Sequence, residues 1–536
     1  MNLRKRRLSC GDLMTKHPTK YMVMLIACVG VLTTSICHAG ILEDWWQANN
    51  FCGSAVGTSE GRVIGQAEQS SDGSYACSYK GIPYAAPPTG ELRWAPPQKP
   101  AQRSNALYAY NYSADCIQCK LIANAMITSN SIIESEDCLY LNIWRPAKAG
   151  KFPVMVWIHG GGYFFGSGAN SIYEGTDLAT RQDVVVVNFN YRLGSLGYLA
   201  HEALVDEADG YGGGSAGNYG LLDQIAALKW VKNNIAAFGG DPDNVTIFGE
   251  SAGAWSVFAL LSSPCAKGLF HKAIAESGST DASYSSEDAF ALGEQFASQV
   301  GCGNSTDKKK CLRSKPAQLV LAADTQMLSP TLKLLGEIFT PPLSFNVTES
   351  IKNNLYDKLD QLEAKSFGFM PREDGAILPA QPFDVIRWGQ HNQVPFLVGT
   401  NMNDFRCLRE STAATLDEMS AVHQEDIFYY RFDYDDHNLA WLLGGFHIFE
   451  VPFVFNTIPK FNFVYGLVNL YGPLQQLRAK PLVNAMQGYW GNFARSGNPN
   501  GTDHTGKPLT YWPAFDPNSG NNRMVLDLPL YLTGTN

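Results

Sequence analysis

The stretch that most constrains the fold of this chain is Gly249-Glu-Ser-Ala-Gly253, a Gly-x-Ser-x-Gly turn between two regular elements. An apolar run that favours a strand, Val245–Phe248, enters the turn, and a helix-prone segment rich in alanine and large apolar residues leaves it. The serine of such a strand-to-helix turn is exposed at the top of a sheet, and the flanking glycines let neighbouring backbone approach closely. The N-terminus of the following helix favours negative charge nearby. The stretch therefore predicts a nucleophile elbow with Ser251 as the attacking group.

A second glycine-rich segment lies upstream of the elbow. Phe152–Ile158 has the pattern of a buried strand and runs directly into His159-Gly-Gly-Gly-Tyr163. Three successive glycines add no side-chain packing and cost chain entropy, so the segment calls for bare backbone. N–H groups presented in this way stabilise an oxyanion. We expect the N–H groups of Gly161 and Gly162, with that of Ala252 as the third, to form an oxyanion hole.

Several longer motifs carry a family resemblance. They are Lys80-Gly-Ile-Pro-Tyr-Ala85, Glu136-Asp-Cys-Leu-Tyr-Leu-Asn-Ile-Trp144, the HGGGY loop, Asn190-Tyr-Arg-Leu-Gly-Ser-Leu-Gly197, the segment from Phe238 to Gly253, and Asn492-Phe-Ala-Arg-Ser-Gly-Asn-Pro499. In sequence and in order they resemble the type-B carboxylesterase (cholinesterase-like) branch of the α/β-hydrolases, from about residue 50 to the C-terminus. The resemblance implies an α/β-hydrolase fold, with a large, mostly parallel sheet, helices on both faces and helical insertions over the active site. It also implies a serine carboxylic ester hydrolase.

The family order of nucleophile, acid and histidine guides the search for the acid. Pro395–Asn401 is a short apolar run followed by Met-Asn-Asp-Phe405, where the family usually has Gly-x-Asn-x-Asp-Glu-Gly. Counting from Gly399 puts Asp404 at the position of the family's glutamate, Asn403 at that of its aspartate and Phe405 at that of its glycine. Aspartate can still orient an imidazole and stabilise the imidazolium. We therefore predict Asp404 as the acid, with Glu410 as the alternative.

Ten histidines are available for the base. His447 stands in Gly444-Gly-Phe-His-Ile-Phe-Glu-Val-Pro-Phe-Val-Phe455, which resembles the family segment around its catalytic histidine. An imidazole changes charge near neutral pH, so it can take the serine proton and return it to a leaving alcohol. We predict His447 as the base, with His437 as the fallback. Glu250 and Glu450 match acidic family positions that line or support the site.

The N-terminal 39 residues have the pattern of a secretory signal peptide. Six basic residues precede an apolar run of about 16 residues, Tyr21–Ile36, and a small residue, Ala39, precedes the expected cleavage site. Met14 is an alternative start, and Leu25-Ile-Ala-Cys28 resembles a bacterial lipobox, which would give a lipid-anchored enzyme. Removing the leader deletes six positive charges and one negative charge, so the net charge goes from −9 to −14. Such a charge disfavours binding to nucleic acid and to anionic lipid.

Nine of the twelve cysteines follow the leader, which indicates an oxidising compartment. The resemblance implies two loop disulfides, Cys116 with Cys138 and Cys302 with Cys311. Cys52 and Cys77 flank a predicted hairpin, and a third bridge between them is left open. The three cysteines that then remain, Cys119, Cys265 and Cys407, are odd in number, so at least one free thiol is expected.

The chain shows no linker, repeat or low-complexity segment, so we predict one domain over residues 40–536 after a signal peptide over residues 1–39. Apolar strands recur, at 62–85, Tyr140–Trp144, Val154–Ile158, Val184–Phe189, Val245–Phe248, Lys272–Glu276 and Pro395–Val398, with a helix from about Leu221 to Ala237. Strands that alternate with helices form a mostly parallel sheet covered on both faces. Residues 285–390 and 405–480 are expected to be helical insertions.

The expected substrate is a small-molecule ester, and no cofactor, metal or nucleic acid is predicted. An alkyl or aryl ester pocket is suggested by apolar residues around the site, namely Phe164, Phe165, Leu335, Ile338, Phe339, Phe446 and Phe449. Two alternatives stay open: a lipase that uses Phe446–Leu470 as an exposed apolar face, and a non-catalytic cholinesterase-like adhesion protein. No firm membrane association is expected, and the sequence leaves the oligomeric state open.

Choline esters are expected to gain nothing over neutral esters of equal size. Choline-binding members of the family place a tryptophan about ten residues before the cysteine of EDCLYLN, where this chain has Thr128. A quaternary ammonium over a desolvated indole gains about 2 kcal/mol, or roughly thirtyfold. We predict a kcat/KM ratio near one for butyrylcholine against its neutral dimethylbutyl analogue. A tenfold choline preference would contradict this and would point to another aromatic, with Phe339 the best placed.

Overall fold

The computed structural model describes residues 43–118, 130–131, 133–206, 209–328, 363–463, 468–519 and 522–534. The expected leader, its cleavage site, Cys28, Cys119 and Thr128 lie outside the described residues. The strands are β1 Val56–Thr58, β2 Gly61–Ile64, β3 Gln66–Gln69, β4 Tyr75–Pro83, β5 Leu107–Tyr108, β6 Asp115–Cys116, β7 Glu134–Ser135, β8 Tyr140–Pro146, β9 Phe152–Ile158, β10 Val185–Phe189, β11 Gly240–Glu250, β12 Lys272–Glu276, β13 Phe396–Asn401, β14 Ile427–Phe432, β15 Asn462–Phe463, β16 Val468–Asn469, β17 Arg523–Leu526 and β18 Tyr531–Thr533.

The helices of the described residues cover both faces of the main sheet. They are α1 over residues 43–52, α2 Thr176–Gln182, α3 Gly194–Tyr198, α4 Tyr219–Asn234, α5 Ala252–Ser262, α6 Ser286–Gln299, α7 Lys308–Arg313, α8 Ala317–Met327, α9 Pro382–Arg387, α10 Arg406–Val422, α11 Ala440–Leu443, α12 Val451–Phe455 and α13 Pro473–Ser496. None of the described helices is long and apolar enough to cross a membrane.

Eleven strands form the main sheet, in the order β18-β17-β14-β13-β12-β11-β9-β10-β8-β4-β3. The seven from β17 to β10 in this order are parallel to one another, and antiparallel strands occupy both edges. The carboxyl ends of parallel strands meet along one edge of a sheet, where α/β proteins bind their ligands. The arrangement therefore brings the residues after β9, β11, β12 and β13 together.

The central strands are buried on both faces of the sheet. In β9, Val154, Val156 and Ile158 belong to one hydrophobic core, while Met155 and Trp157 belong to a second core on the other face. Successive side chains of a strand point to opposite faces, so each core fills the space between the sheet and one helical layer. This two-sided burial explains why the strand reads as a continuous apolar run.

The predicted strands and the predicted helix are present, but one expected insertion is wrong. Residues 405–480 are not a purely helical insertion, because Ile427–Phe432 forms β14, an inner strand parallel to β13. Its aromatic side chains belong to the cores on both faces of the sheet, and burial of these side chains stabilises the segment as a strand. The last strand predicted from the sequence corresponds to β13, whereas β14, β17 and β18 extend the sheet beyond it. The first expected insertion is described only in part, as α6 to α8 and α9.

Three disulfides join the pairs Cys116–Cys138, Cys302–Cys311 and Cys52–Cys77. The third bridge, which the sequence left open, links the end of α1 to β4. Cys265 and Cys407 are free and half-buried. The bridged cysteines are 22, 9 and 25 residues apart in the chain, so each bridge closes a short loop and restricts the unfolded chain.

Candidate active site

Ser251 lies at the turn between β11 and α5, as the elbow pattern predicts. Its backbone has φ 58° and ψ −124°, a conformation in which a residue other than glycine is strained. The Ser251 N–H donates to the carbonyl oxygen of Glu276 at 2.9 Å, which fixes the turn against the neighbouring strand β12. The strain is therefore held by the sheet, and the serine is presented at the first turn of α5.

The two glycines of the elbow are required by close packing. A Cβ on Gly253 would lie 2.0 Å from the carbonyl oxygen of Ile158, and one on Gly249 would lie 2.6 Å from the same atom. Both distances are far below contact distance, so a methyl group would push α5 away from the end of β9. These contacts explain the Gly-x-Ser-x-Gly pattern without reference to catalysis.

The segment after β9 presents free backbone N–H groups. Gly161 and Gly162 have φ of 107° and 60°, and a Cβ on Gly161 would lie 2.1 Å from the carbonyl oxygen of Phe165. Among the described turn and loop hydrogen bonds, none uses the N–H of Gly161 or Gly162. The N–H of Ala252, at the first position of α5, has no acceptor within the helix. The N–H groups of all three predicted oxyanion donors thus have no acceptor among the described hydrogen bonds.

Asp404 and His447 are hydrogen-bonded to each other. Asp404 Oδ1 lies 2.6 Å from His447 Nδ1, and both side chains are buried. The other carboxylate oxygen, Oδ2, accepts from the Asn401 N–H at 2.7 Å, and Arg409 donates to the Asp404 carbonyl oxygen. The carboxylate is therefore fixed on the turn that follows β13, with the imidazole against it.

The alternative candidates lie elsewhere. Glu410 is exposed on α10, 3.7 Å from Arg406. His437 Nε2 lies 2.8 Å from the Gly444 carbonyl oxygen, and its ring packs edge-on against Phe449. His159 stacks on Tyr191, and burial lowers its pKa to about 4, so it stays neutral. Among the described hydrogen bonds, none joins Glu410 or His437 to Ser251.

The two glutamates expected to support the site belong to a buried group of carboxyls. Glu250 Oε1 lies 3.0 Å from His447 Nε2, yet neither atom has a hydrogen bond of acceptable geometry among the described residues. Glu450 accepts from Ser277 Oγ at 3.4 Å and from Asn401 Nδ2. Burial raises the pKa of both glutamates well above the ordinary range, and the negative charges of neighbouring carboxylates raise it further.

Sequence reasoning missed three residues of the site. Glu276 ends β12 beside Glu250, Asn401 binds Glu450 and the Phe446 carbonyl oxygen, and the Phe405 ring lies 4.8 Å from that of His447. Glu276 and Asn401 could have been found from their positions at the carboxyl ends of predicted strands. Phe405 was noted only as a departure from the family's glycine. In the structure it packs on the imidazole.

The apolar residues predicted to line a pocket are only partly described. Phe164, Phe165, Phe446 and Phe449 are buried in the core that contains Trp157, while Leu335, Ile338 and Phe339 lie outside the described residues. Phe449 packs against His437, Phe446 and Phe461, so it acts as a core residue. Within the described ranges, no group of three or more histidine, cysteine or acidic side chains has the arrangement of a metal site.

Comparisons with known proteins agree on one family. A family model described as "Carboxylesterase family" matches residues 53–427 and 408–530. Carboxylesterase 1E of Mus musculus is 35% identical over 518 residues, covering 82% of this chain and 84% of that protein. A solved structure of a PNB esterase has a TM-score of 0.71 at 30% identity and covers 90% of this chain and 97% of its own. A shorter match, 50% identical over 202 residues, covers 37% of this chain and 36% of the fumonisin B1 esterase of Sphingopyxis macrogoltabida. The fold is that of an α/β-hydrolase.

Gly253→Ala is expected to destabilise the protein strongly. The new methyl group would lie 2.0 Å from the Ile158 carbonyl oxygen, a backbone atom that cannot move without displacing β9. Overpacking of this kind costs about 1–3 kcal/mol or more. Gly57→Ala is the matched control, because a Cβ there meets nothing within 4 Å. Urea unfolding midpoints should fall for Gly253→Ala only, and equal midpoints for the two variants would contradict the packing argument.

Proposed function

We propose that this chain, which belongs to the carboxylesterase family, hydrolyses alkyl and aryl carboxylic esters through an acyl-enzyme formed on Ser251. The protein is a serine carboxylesterase. Its preference for alkyl and aryl esters, the acyl-enzyme and the roles of the catalytic residues are proposals. The observation that carries the proposal is the 2.6 Å contact between Asp404 and His447 in a fold whose elbow bears Ser251.

Acylation begins with attack of the Ser251 hydroxyl on the ester carbonyl carbon. His447 Nε2 takes the hydroxyl proton, while Asp404 holds the Nδ1–H tautomer and stabilises the imidazolium that forms. The carbonyl oxygen becomes an oxyanion and accepts hydrogen bonds from the N–H groups of Gly161, Gly162 and Ala252. Loss of one such donor typically costs about 2.7–4 kcal/mol of transition-state stabilisation.

Collapse of the tetrahedral intermediate expels the alcohol, which receives its proton from the His447 imidazolium. Water then attacks the acyl-enzyme in the same geometry, with His447 as the base, and releases the acid. His447 Nε2 carries the proton in both directions, so any group that holds a proton on this atom slows both half-reactions. Glu250 Oε1 lies 3.0 Å from this nitrogen, and an ionised Glu250 would favour a proton on it.

We further propose that the enzyme works outside the cytoplasm after removal of residues 1–39. The three disulfides are compatible with an oxidising compartment. Identification of the mature N-terminus, expected at Gly40, tests the cleavage. Lipid on Cys28 would instead make the protein an anchored enzyme.

The two alternatives have less support. In the stretch expected to face a lipid surface, the apolar side chains over 446–458, at Phe461 and at Leu470 are buried, so this described part supplies no exposed apolar face. A non-catalytic adhesion protein would not need the uncommitted N–H groups of the glycine loop or the Asp404–His447 pair. Both alternatives therefore rank below a small-ester hydrolase.

Ser251→Ala is expected to remove turnover of p-nitrophenyl butyrate and labelling by an organophosphate probe. Without a nucleophile only the residual catalysis of the oxyanion hole and binding remains, on the order of 10³–10⁴ over water. Long-chain p-nitrophenyl esters and fumonisin B1 should be tested in parallel, the latter because of the short match to its esterase. Wild-type turnover by the alanine variant would place the nucleophile elsewhere, and a strong preference for micellar long-chain esters would favour the lipase.

Asp404→Asn is expected to lower kcat by up to about 10⁴-fold with little change in KM, because an amide favours the wrong imidazole tautomer. The matched control is Glu410→Gln, which alters an exposed carboxylate paired only with Arg406. This control should change kcat by no more than about twofold, since exposed ion pairs contribute little. A large loss of kcat in Glu410→Gln and none in Asp404→Asn would mean that Glu410, and not Asp404, is the acid.

A further inference from the structure

Glu276 is a fully buried carboxyl that the proposed reaction does not use. It is the last residue of β12 and the register partner of Glu250, the last residue of the neighbouring parallel strand β11. Partners in adjacent strands lie about 4.8 Å apart and project to the same face of the sheet. The side chain of Glu276 is therefore directly beside the glutamate that approaches His447.

The two carboxyls differ in their hydrogen bonds. Glu276 Oε1 accepts from the indole N–H of Trp490 at 2.8 Å, whereas its Oε2 has no partner among the described residues. Glu250 Oε1 lies 3.0 Å from His447 Nε2 and lacks a donor of acceptable geometry within the same part of the chain. An N–H donor stabilises an ionised carboxylate. Glu276 is therefore the member of the pair better able to carry a negative charge.

The electrostatic surroundings also favour ionisation of Glu276 before Glu250. Burial raises the pKa of Glu276 to about 8, while burial and the charges of Asp404 and Glu276 raise the pKa of Glu250 well above its ordinary value. No lysine or arginine is among the described groups that shift the pKa of either residue. The other polar or titratable groups around the pair are Glu450 at the start of α12, Asp404 after β13, His447, Tyr430 of β14, Tyr173 and Trp490 of α13.

We propose, building on the proposed function, that Glu276 is a positioning residue whose ionisation holds a proton on Glu250 and so leaves His447 free to act as the base. With one proton shared between Glu250 and His447, two arrangements compete. In one, the proton is on His447 Nε2 and the imidazolium is paired with ionised Glu250, which cannot accept a proton from Ser251. In the other, the proton has moved from Nε2 to Glu250 Oε1, and the imidazole is neutral at Nε2. A negative charge on Glu276 disfavours an ionised Glu250 beside it and thus favours the second arrangement.

The predicted consequence is an alkaline activation of the enzyme. Wild-type kcat/KM for p-nitrophenyl butyrate should rise in two stages with pH, and the second rise should have its midpoint near the Glu276 pKa of about 8. A neighbouring buried charge shifts a proton equilibrium by about one pKa unit, so the second rise should be about tenfold. Glu276→Gln keeps an oxygen acceptor for Trp490 but cannot ionise. This variant should lack the second rise.

Two further variants test the route of the effect. In Glu250→Gln the second rise should also be absent, and adding Glu276→Gln to that variant should change nothing more, because the charge acts through Glu250. Trp490→Phe removes the donor that stabilises ionised Glu276, so it should move the second rise to higher pH. A second rise that persists in Glu276→Gln would overturn the proposal. So would higher activity of Glu276→Gln than of wild type above pH 8, since that sign means that the Glu276 charge traps the imidazolium directly.

Thermal unfolding separates this proposal from the proposed function. A carboxyl whose pKa is raised from 4.5 to about 8 on folding makes the wild type lose stability as the pH rises through that window. Glu276→Gln is free of this loss, so its Tm relative to wild type should climb between about pH 4.5 and about pH 8 and then level off. If this pH-dependent Tm difference is found but the protein hydrolyses no ester, the proposed function is refuted, while the raised pKa of Glu276 is supported. If the protein hydrolyses esters but the Tm difference does not change with pH, the proposed role of Glu276 is refuted and the proposed function is not.

Discussion

The parallel register of strands β9, β11, β12 and β13 is the constraint on which the site depends. Ile158, Gly249, Ala275 and Val398 form one row across the sheet, so the residues that follow them emerge at the same edge. This row positions the glycine loop after β9, the serine turn after β11 and the acidic turn after β13 relative to one another. The absence of side chains at Gly249 and Gly253 lets the row close tightly, because Ile158 leaves no space for a methyl group at either position.

The same register creates an electrostatic problem. It places Glu250 and Glu276 side by side, and the loop that carries His447 brings Glu450 to the same buried region. Ionised carboxylates in such surroundings are expensive, so protons are retained and their positions become coupled. The coupling bears on the proposed reaction because Glu250 Oε1 lies 3.0 Å from His447 Nε2, the nitrogen proposed to exchange a proton with Ser251. Trp490 and Asn401, which donate to Glu276 and Glu450, bias where the protons lie.

Much of this site was readable in the sequence. The elbow, the glycine loop, Asp404 and His447 were predicted because each stands directly after an apolar run or within a long family motif. In the structure Asp404 and His447 are in contact despite their separation of 43 residues. Asn403-Asp404-Phe405 differs from the family sequence, yet the turn after β13 is still closed, because Asp404 Oδ2 accepts a hydrogen bond from the Asn401 N–H. By contrast, β14 was missed because a short aromatic strand between helical segments has no periodicity of its own to mark it.

The motifs of the sequence and their order were enough to predict the fold class, and the family resemblance that they carry implied two of the three disulfide pairs. The three-dimensional contacts bring Asp404 against His447, while Glu410 is exposed beside Arg406 and His437 lies on the Gly444 carbonyl oxygen. The tertiary structure alone joined Cys52 to Cys77, extended the sheet beyond β13 and set Glu276 beside Glu250. The physical reason is that strand register is a property of paired backbones, and no single strand carries the information about its neighbour.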